Sequence, residues 1–133
     1  MKIQMINWFV KRLELNSLQV SAQSSNEEKV KDKFSFSYGY GIDKENNAFQ
    51  IGFIVDVLNP KFELKLEMIY NFKTDTIIDE HFKDSPFIKI NAPAIAFPYL
   101  RSFVSTLTMQ SGYQCVILPS VNFVNLAKKN HED

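Results

Sequence analysis

The feature that most constrains this chain is a two-residue alternation sustained over three consecutive segments. Phe34, Phe36, Tyr38 and Tyr40 alternate with Lys33, Ser35, Ser37 and Gly39. Phe49, Ile51, Phe53, Val55 and Val57 alternate with Gln50, Gly52, Ile54 and Asp56. Phe62, Leu64, Leu66, Met68, Tyr70 and Phe72 alternate with Glu63, Lys65, Glu67, Ile69 and Asn71. Successive side chains of a strand point to opposite faces, so this pattern demands strands with one apolar and one wet face. The connections, Gly41 to Asn47 and Asn59-Pro60, are short, which suits antiparallel neighbours. Upstream, Leu13, Leu15, Leu18 and Val20 alternate with Arg12, Glu14, Gln19 and Ser21. The slip of phase at Asn16-Ser17 suggests a bulge there. A polar, charged stretch from Gln23 to Asp32 reads as a connector. The expected sheet is a four-stranded antiparallel meander.

The pattern then changes. Thr74 to Ser85 has no sustained period and reads as a loop. Tyr99, Leu100, Phe103, Val104 and Leu107 recur at spacings of three and four, a helical stripe. Pro98 fits the first turn of such a helix, where its missing N–H costs nothing. Ala92 to Phe97 is then a lead-in turn, or else the helix is kinked at Pro98. Gly112 fits the left-handed position after the last turn. Tyr113 to Pro119 reads as an apolar crossing segment, and Asn122 to Lys129 as the start of a short second helix.

This plan leaves surface uncovered. A helix of four turns is roughly 20 Å long and hides about two strands spaced about 4.8 Å apart. The crossing segment, a second subunit or an apolar ligand must hide the rest. From Ala92 to Ala127 the only charged residue is Arg101. An exposed helix normally carries Lys and Glu, yet this one offers Ser102, Ser105, Thr106 and Met109. Small neutral side chains suit a face packed on another protein. The helix, through Arg101, Ser102, Ser105, Thr106 and Met109, therefore reads as an oligomer interface.

Composition narrows the function. The chain has 133 residues, one domain by size, with 15 basic and 15 acidic side chains and a formal net charge of 0. That balance offers nothing to nucleic acid or to an anionic membrane. No apolar run is long enough to span a bilayer. The single cysteine excludes a disulfide framework and fits a reduced, cytoplasmic setting; Cys115 reads as a small buried hydrophobe. His81 and His131 stand far apart, so no zinc geometry is offered. Lys11 and Arg12 interrupt the apolar stretch after Lys2, which argues against a signal peptide. An enzyme could pair Asp56 with Tyr38 or Tyr70, but alternation puts the acid on the wet face and both tyrosines on the apolar one. A small-apolar-ligand binder would show one tight stoichiometric molecule and no suppression of aggregation.

The C-terminal third resembles the SecB family of export chaperones. Asn91-Ala92-Pro93 is followed by Phe97-Pro98-Tyr99 and Arg101, then by Leu118 and Val121-Asn122-Phe123. The strand pattern matches as well, so the resemblance covers about residues 6–129. It implies an α+β fold: a four-stranded antiparallel sheet, one long helix, a crossover loop and a short C-terminal helix. It also implies a homotetramer, a dimer of dimers, that holds unfolded preproteins in apolar grooves without cofactor or chemistry and hands them to SecA. The family's glycine falls at Ser111 rather than Gly112, and its proline at Ser120 rather than Pro119. Its acidic balance, its longer last helix and its SecA-touching tail are not matched. Client holding carries over better than delivery to SecA, and a chaperone dedicated to an antitoxin is the alternative. The expected client groove is Phe36, Tyr38, Tyr113, Val116, Leu118, Phe123 and Leu126. Glu63 and Glu67, split by Lys65, are the residues that would meet SecA.

Overall fold

The computed structural model describes residues 1–18 and 32–132. Most of the expected connector, together with Gln19, Val20 and Ser21, lies outside the described residues. Four strands form one antiparallel sheet: β1 (Ile3–Ser17), β2 (Lys33–Asp43), β3 (Ala48–Asn59) and β4 (Phe62–Thr74). The spatial order is β1-β4-β3-β2. The meander is therefore correct for β2 to β4 and wrong for β1, which pairs with β4 and not with β2. The link from Ser17 to Lys33 need only span three strand spacings, about 14 Å, so it imposes no neighbour. The buried residues of β4 decide instead, because cross-strand pairs are the unit of sheet stabilisation. Trp8 pairs with Tyr70, Leu13 with Leu66 and Leu15 with Leu64.

The bulges of β1 also differ from expectation. Pairing is unbroken at Asn16-Ser17; the register shifts lie between Met5 and Asn7 and between Val10 and Arg12. Each shift inserts one residue and flips the parity. Two flips carry Ile3, Met5, Trp8, Val10, Leu13 and Leu15 to one face, which no single alternation could do.

The core lies on that face. Phe49, Ile51, Phe53, Val55 and Val57 of β3 and Phe62, Leu64, Leu66, Met68, Tyr70 and Phe72 of β4 are all buried. Above them lies α1 (Ala92–Gln110), which buries Ala96, Phe97, Leu100, Val104 and Thr108. It starts earlier than expected. Pro93 takes the first turn and Pro98 sits inside the helix. Pro98 costs one hydrogen bond, and the carbonyl it leaves unpaired belongs to Ala94, an exposed residue that water can reach. A short 3-10 turn (Phe82–Asp84) and a π turn (Phe87–Asn91) lead into α1 and bury Phe82 and Ile88, a stretch the sequence pattern left irregular.

The end of α1 follows expectation. Gly112 has φ of 92°, Tyr113 N–H bonds to Thr108 O at 3.0 Å, and Gly112 N–H bonds to Met109 O at 3.2 Å. This is a Schellman turn, and its left-handed residue is a glycine for want of a Cβ. The crossover follows, and then α2 (Phe123–Glu132), capped by Asn122 Oδ1 accepting Asn125 N–H at 3.1 Å.

Candidate functional site

The groove residues gather around five rings. Phe36 lies 5.5 Å from Phe53, 5.6 Å from Phe97 and 6.2 Å from Phe123, centroid to centroid. Tyr38 stacks on Phe36 at 6.2 Å and meets Phe123 edge-on at 5.4 Å. Edge-to-face contacts at these distances add about 0.5–1.5 kcal/mol each beyond burial. β3 and α1 supply the floor, β2 the open side and α2 the lid. Tyr38 donates from its hydroxyl to Lys89 O at 3.1 Å, tying β2 to the π turn, and burial pushes its phenol above the ordinary value.

Open ground lies around this cluster. Leu118, Pro119 and Val121 meet Phe34 and Phe36 across a narrow cavity of about 30 Å³. Beyond it, one depression of about 370 Å³ runs over Ile90, Ala94, Val121 and Phe123. Another, of about 380 Å³, runs over Pro86, Lys89, Ile90, Val124 and Ala127. Val121 lines the first two and Ile90 and Val124 the last two, so they adjoin as one furrow along α2 and the end of the crossover.

The expected groove residues divide. Phe36, Tyr38, Leu118 and Phe123 come together here, with Leu126 packed alongside. Val116, Leu118 and Phe123 are themselves buried. Tyr113 does not join them; its ring lies 4.5 Å from Phe62 at another part of the sheet. Phe34, Phe97, Pro119 and Val121 belong to the site and escaped the sequence reading. Phe34 shares its parity with Phe36, which was the available signal.

The crossover is fastened to α1 by side chains. Arg101 Nε donates to Leu118 O at 3.0 Å, and Ser105 Oγ donates to Val116 O at 2.8 Å. Thr108 Oγ1, fully buried, accepts Val116 N–H at 3.0 Å and donates to Val104 O at 2.9 Å. Arg101 and Ser105 thus face the crossover within the chain. Ser102, Thr106 and Met109 instead lie exposed with Ile95 and Tyr99 in a stripe along the other side of α1. Tyr99 reaches Trp8 of β1 at 5.1 Å, and Trp8, Val10 and Leu13 are each about 40% exposed or more. That aromatic strand edge carried no signal while β1 was read from Leu13 onward. Cys115 is exposed and not buried as expected, because its neighbour Val116 takes the inward position.

On the other face of the sheet, Glu63 pairs with Lys65 at 3.7 Å and Glu67 with Lys11 at 3.4 Å. Each acid has its own lysine, so they make no acidic patch. Asp56 lies exposed on this face, beside Lys65 in the register, while Tyr38 and Tyr70 lie on the core face. The acid and the phenols share no site.

The model of the family described as preprotein translocase subunit SecB matches residues 2–133. The chain belongs to the SecB family. A protein-export protein SecB of Roseobacter denitrificans is 34% identical over 65 residues. That stretch is 49% of this chain and 38% of the relative, so the match spans less than two-fifths of the relative's length. Among solved structures, the fold is similar to the Mycobacterium tuberculosis SecB-like chaperone, solved in complex with a ChAD peptide from the HigA1 antitoxin. The TM-score is 0.68 at 13% identity, over 90% of this chain and 91% of that one. A Streptococcus agalactiae protein of unknown function aligns at TM-score 0.53 and 14% identity, over 90% and 98%. The expected α+β architecture is thus the family's own. Among the described residues, no helix is long and apolar enough to cross a membrane.

Proposed function

We propose that this SecB-family chain is a chaperone that holds unfolded polypeptide, without ATP and without chemistry, in the furrow beside the five-ring cluster. The observation that carries this reading is the cluster itself. Its floor is ordinary core, but its β2 side stays open, with Phe34 still 38% exposed and Phe36 and Tyr38 half-buried. The furrow walls are mostly apolar, with Ser120 and Asn122 part-way along and the charged Asp84, Lys89 and Lys128 at one end. Such a surface offers many small contacts and little sequence preference, which suits an unfolded client.

The working form is a homotetramer built as a dimer of dimers, in the cytoplasm. The stripe of Ile95, Tyr99, Ser102, Thr106 and Met109 would pack between subunits, continuous with Trp8, Val10 and Leu13. A soluble protein rarely leaves so many apolar side chains adjoining in water. The client is an antitoxin or a set of preproteins. An antitoxin is favoured by one observation: Glu63 and Glu67 are each neutralised by a lysine, which weakens the acidic face proposed for SecA. The similarity to a chaperone solved with an antitoxin peptide points the same way.

The test is suppression of aggregation of a slow-folding protein, with the oligomeric mass measured alongside. Phe34→Ser with Phe36→Ser should weaken holding several-fold. Undiminished suppression by that folded variant removes the furrow from the client site. A parent protein that suppresses nothing, but binds one small apolar molecule stoichiometrically, removes the chaperone reading.

A further inference from the structure

The furrow has two unlike ends. At the β2 end it is lined by Phe34, Phe36, Leu118 and Val121, none of them charged. Among its described lining residues, the charges all sit at the other end, where α2 passes the π turn: Lys89, Lys128 and Asp84. Two cations meet one carboxylate there, an excess of positive charge in a chain whose formal net charge is 0. The carboxylate does not hold Lys89 closely. Lys89 Nζ lies 3.9 Å from Asp84 Oδ1, beyond hydrogen-bond distance, and the Asp84 side chain is 66% exposed. Lys89 is itself well placed. Its side chain is only 30% exposed, unusual for a lysine, and its carbonyl accepts the Tyr38 hydroxyl at 3.1 Å. Its backbone is thus fixed at the junction of the ring cluster and the furrow. Pro86, Ile90, Val124 and Ala127 reduce the water around this end, and charge attracts charge more strongly as the local dielectric falls.

We propose that Lys89, with Lys128 of α2 in the same depression, binds a carboxylate of the client. The preferred client is then an apolar stretch with an aspartate or glutamate at one flank. This rests on the client-holding reading and deepens it by naming which unfolded segments are held. The charge balance of the furrow carries the argument. A lysine flank would be repelled at this end. A neutral flank would leave a partly buried ammonium without a close counter-ion. Asp84 is the internal rival for the same cation, and a client carboxylate that closes to about 2.8 Å outcompetes it. At the β2 end no lining residue discriminates charge, so one acidic flank suffices.

The probe is a labelled peptide with a core of alternating leucine and serine. It carries a pair of glutamates, serines or lysines at one end, and anisotropy measures its affinity for the full chain. At low salt the glutamate peptide should bind about tenfold tighter than the lysine peptide, since repulsion replaces attraction at a half-exposed pair. At 1 M salt, where charges act over only about 3 Å, the ratio should fall below about twofold. Glutamates at both ends should bind within about twofold of glutamates at one end. Lys89→Gln with Lys128→Gln, folded by circular dichroism, should bring the glutamate-to-lysine ratio within about twofold, and Asp84→Asn should widen it about twofold. An equal or inverted preference in the parent, or an unchanged ratio in the folded double variant, overturns charge selection and leaves apolar holding intact. Displacement of all three peptides alike by stoichiometric laurate would make the depression a fatty-acid site and overturn the proposal as well. A parent that binds none of the peptides and suppresses no aggregation overturns both readings.

Discussion

The two edge strands of the sheet carry similar apolar faces and are treated differently by the rest of the chain. β2 presents Phe34, Phe36 and Tyr38, and the crossover and α2 come over to meet them. β1 presents Trp8, Val10 and Leu13, each still about 40% exposed or more, with Tyr99 of α1 against Trp8. The first edge is partly covered by a segment held on side-chain hydrogen bonds, the second by Tyr99 over Trp8. A cover held by a few polar pins can yield to another chain at modest cost. A bare edge continuous with a charge-free helix stripe needs a permanent partner. On the functions proposed above, β2 is the client edge and β1 the assembly edge.

The sharpest way to break this contrast is to charge the bare edge. Val10→Glu combined with Thr106→Glu should put unpaired charges into a subunit contact, at several kcal/mol each. Light scattering should show the assembly falling toward the 15.4 kDa single chain. An unchanged mass would mean that the β1 edge and the α1 stripe do not serve assembly. Next in size is the α2 lid over the ring cluster. Phe123→Ala should cost about 3–5 kcal/mol in chemical denaturation, because it removes a buried ring touching four others. A loss below about 1 kcal/mol would make α2 a loose lid and not part of the core.

The pins come third. Thr108→Val leaves the buried Val116 N–H without its acceptor, for a loss of about 1–3 kcal/mol. Hydrogen exchange at Val116 should quicken while the centre of β3 stays protected. Uniform acceleration would show that the crossover unfolds only with the whole domain. The smallest effect is an alkaline one. Burial raises the phenols of Tyr38 and Tyr70 above their ordinary value near pH 10. Their contribution is fully present below that pH and is lost as pH rises through the raised values of the folded state. The urea midpoint should therefore fall as pH rises above about 10, and that of Tyr70→Phe should fall less. Equal slopes would mean that Tyr70 ionises as freely when folded as when unfolded.

Much of this contrast could be read in the residues, and part could not. Alternation located β2, β3 and β4, because each pairs with its sequence neighbour and has one dry face. Gly112 marked the end of α1 by its freedom at positive φ, and the absence of charge after Ala92 marked a helix with an unusual surface. The path of β1 was hidden, since two bulges changed its parity and erased the period. Arg101 and Ser105 were grouped with Ser102, Thr106 and Met109 by composition alone. Their true division required the position of the crossover, a tertiary fact. Tyr113 was assigned to the groove as an apolar residue in an apolar stretch, but the Schellman turn aims it at Phe62.

What the sequence by itself determined is what local physics controls: which segments are strands, which face of each is dry, where the long helix stops, and, through the Phe-Pro-Tyr-x-Arg and Val-Asn-Phe elements, the family. What only the tertiary structure decided is which strands are neighbours, which side of α1 meets the crossover, and which aromatic residues are covered. These depend on the whole set of surfaces competing for burial. A long connector lets β1 take either edge, and a polar side chain such as Ser105 serves equally well in water or against a carbonyl. The choice is made by the partner that folding brings within about 3 Å.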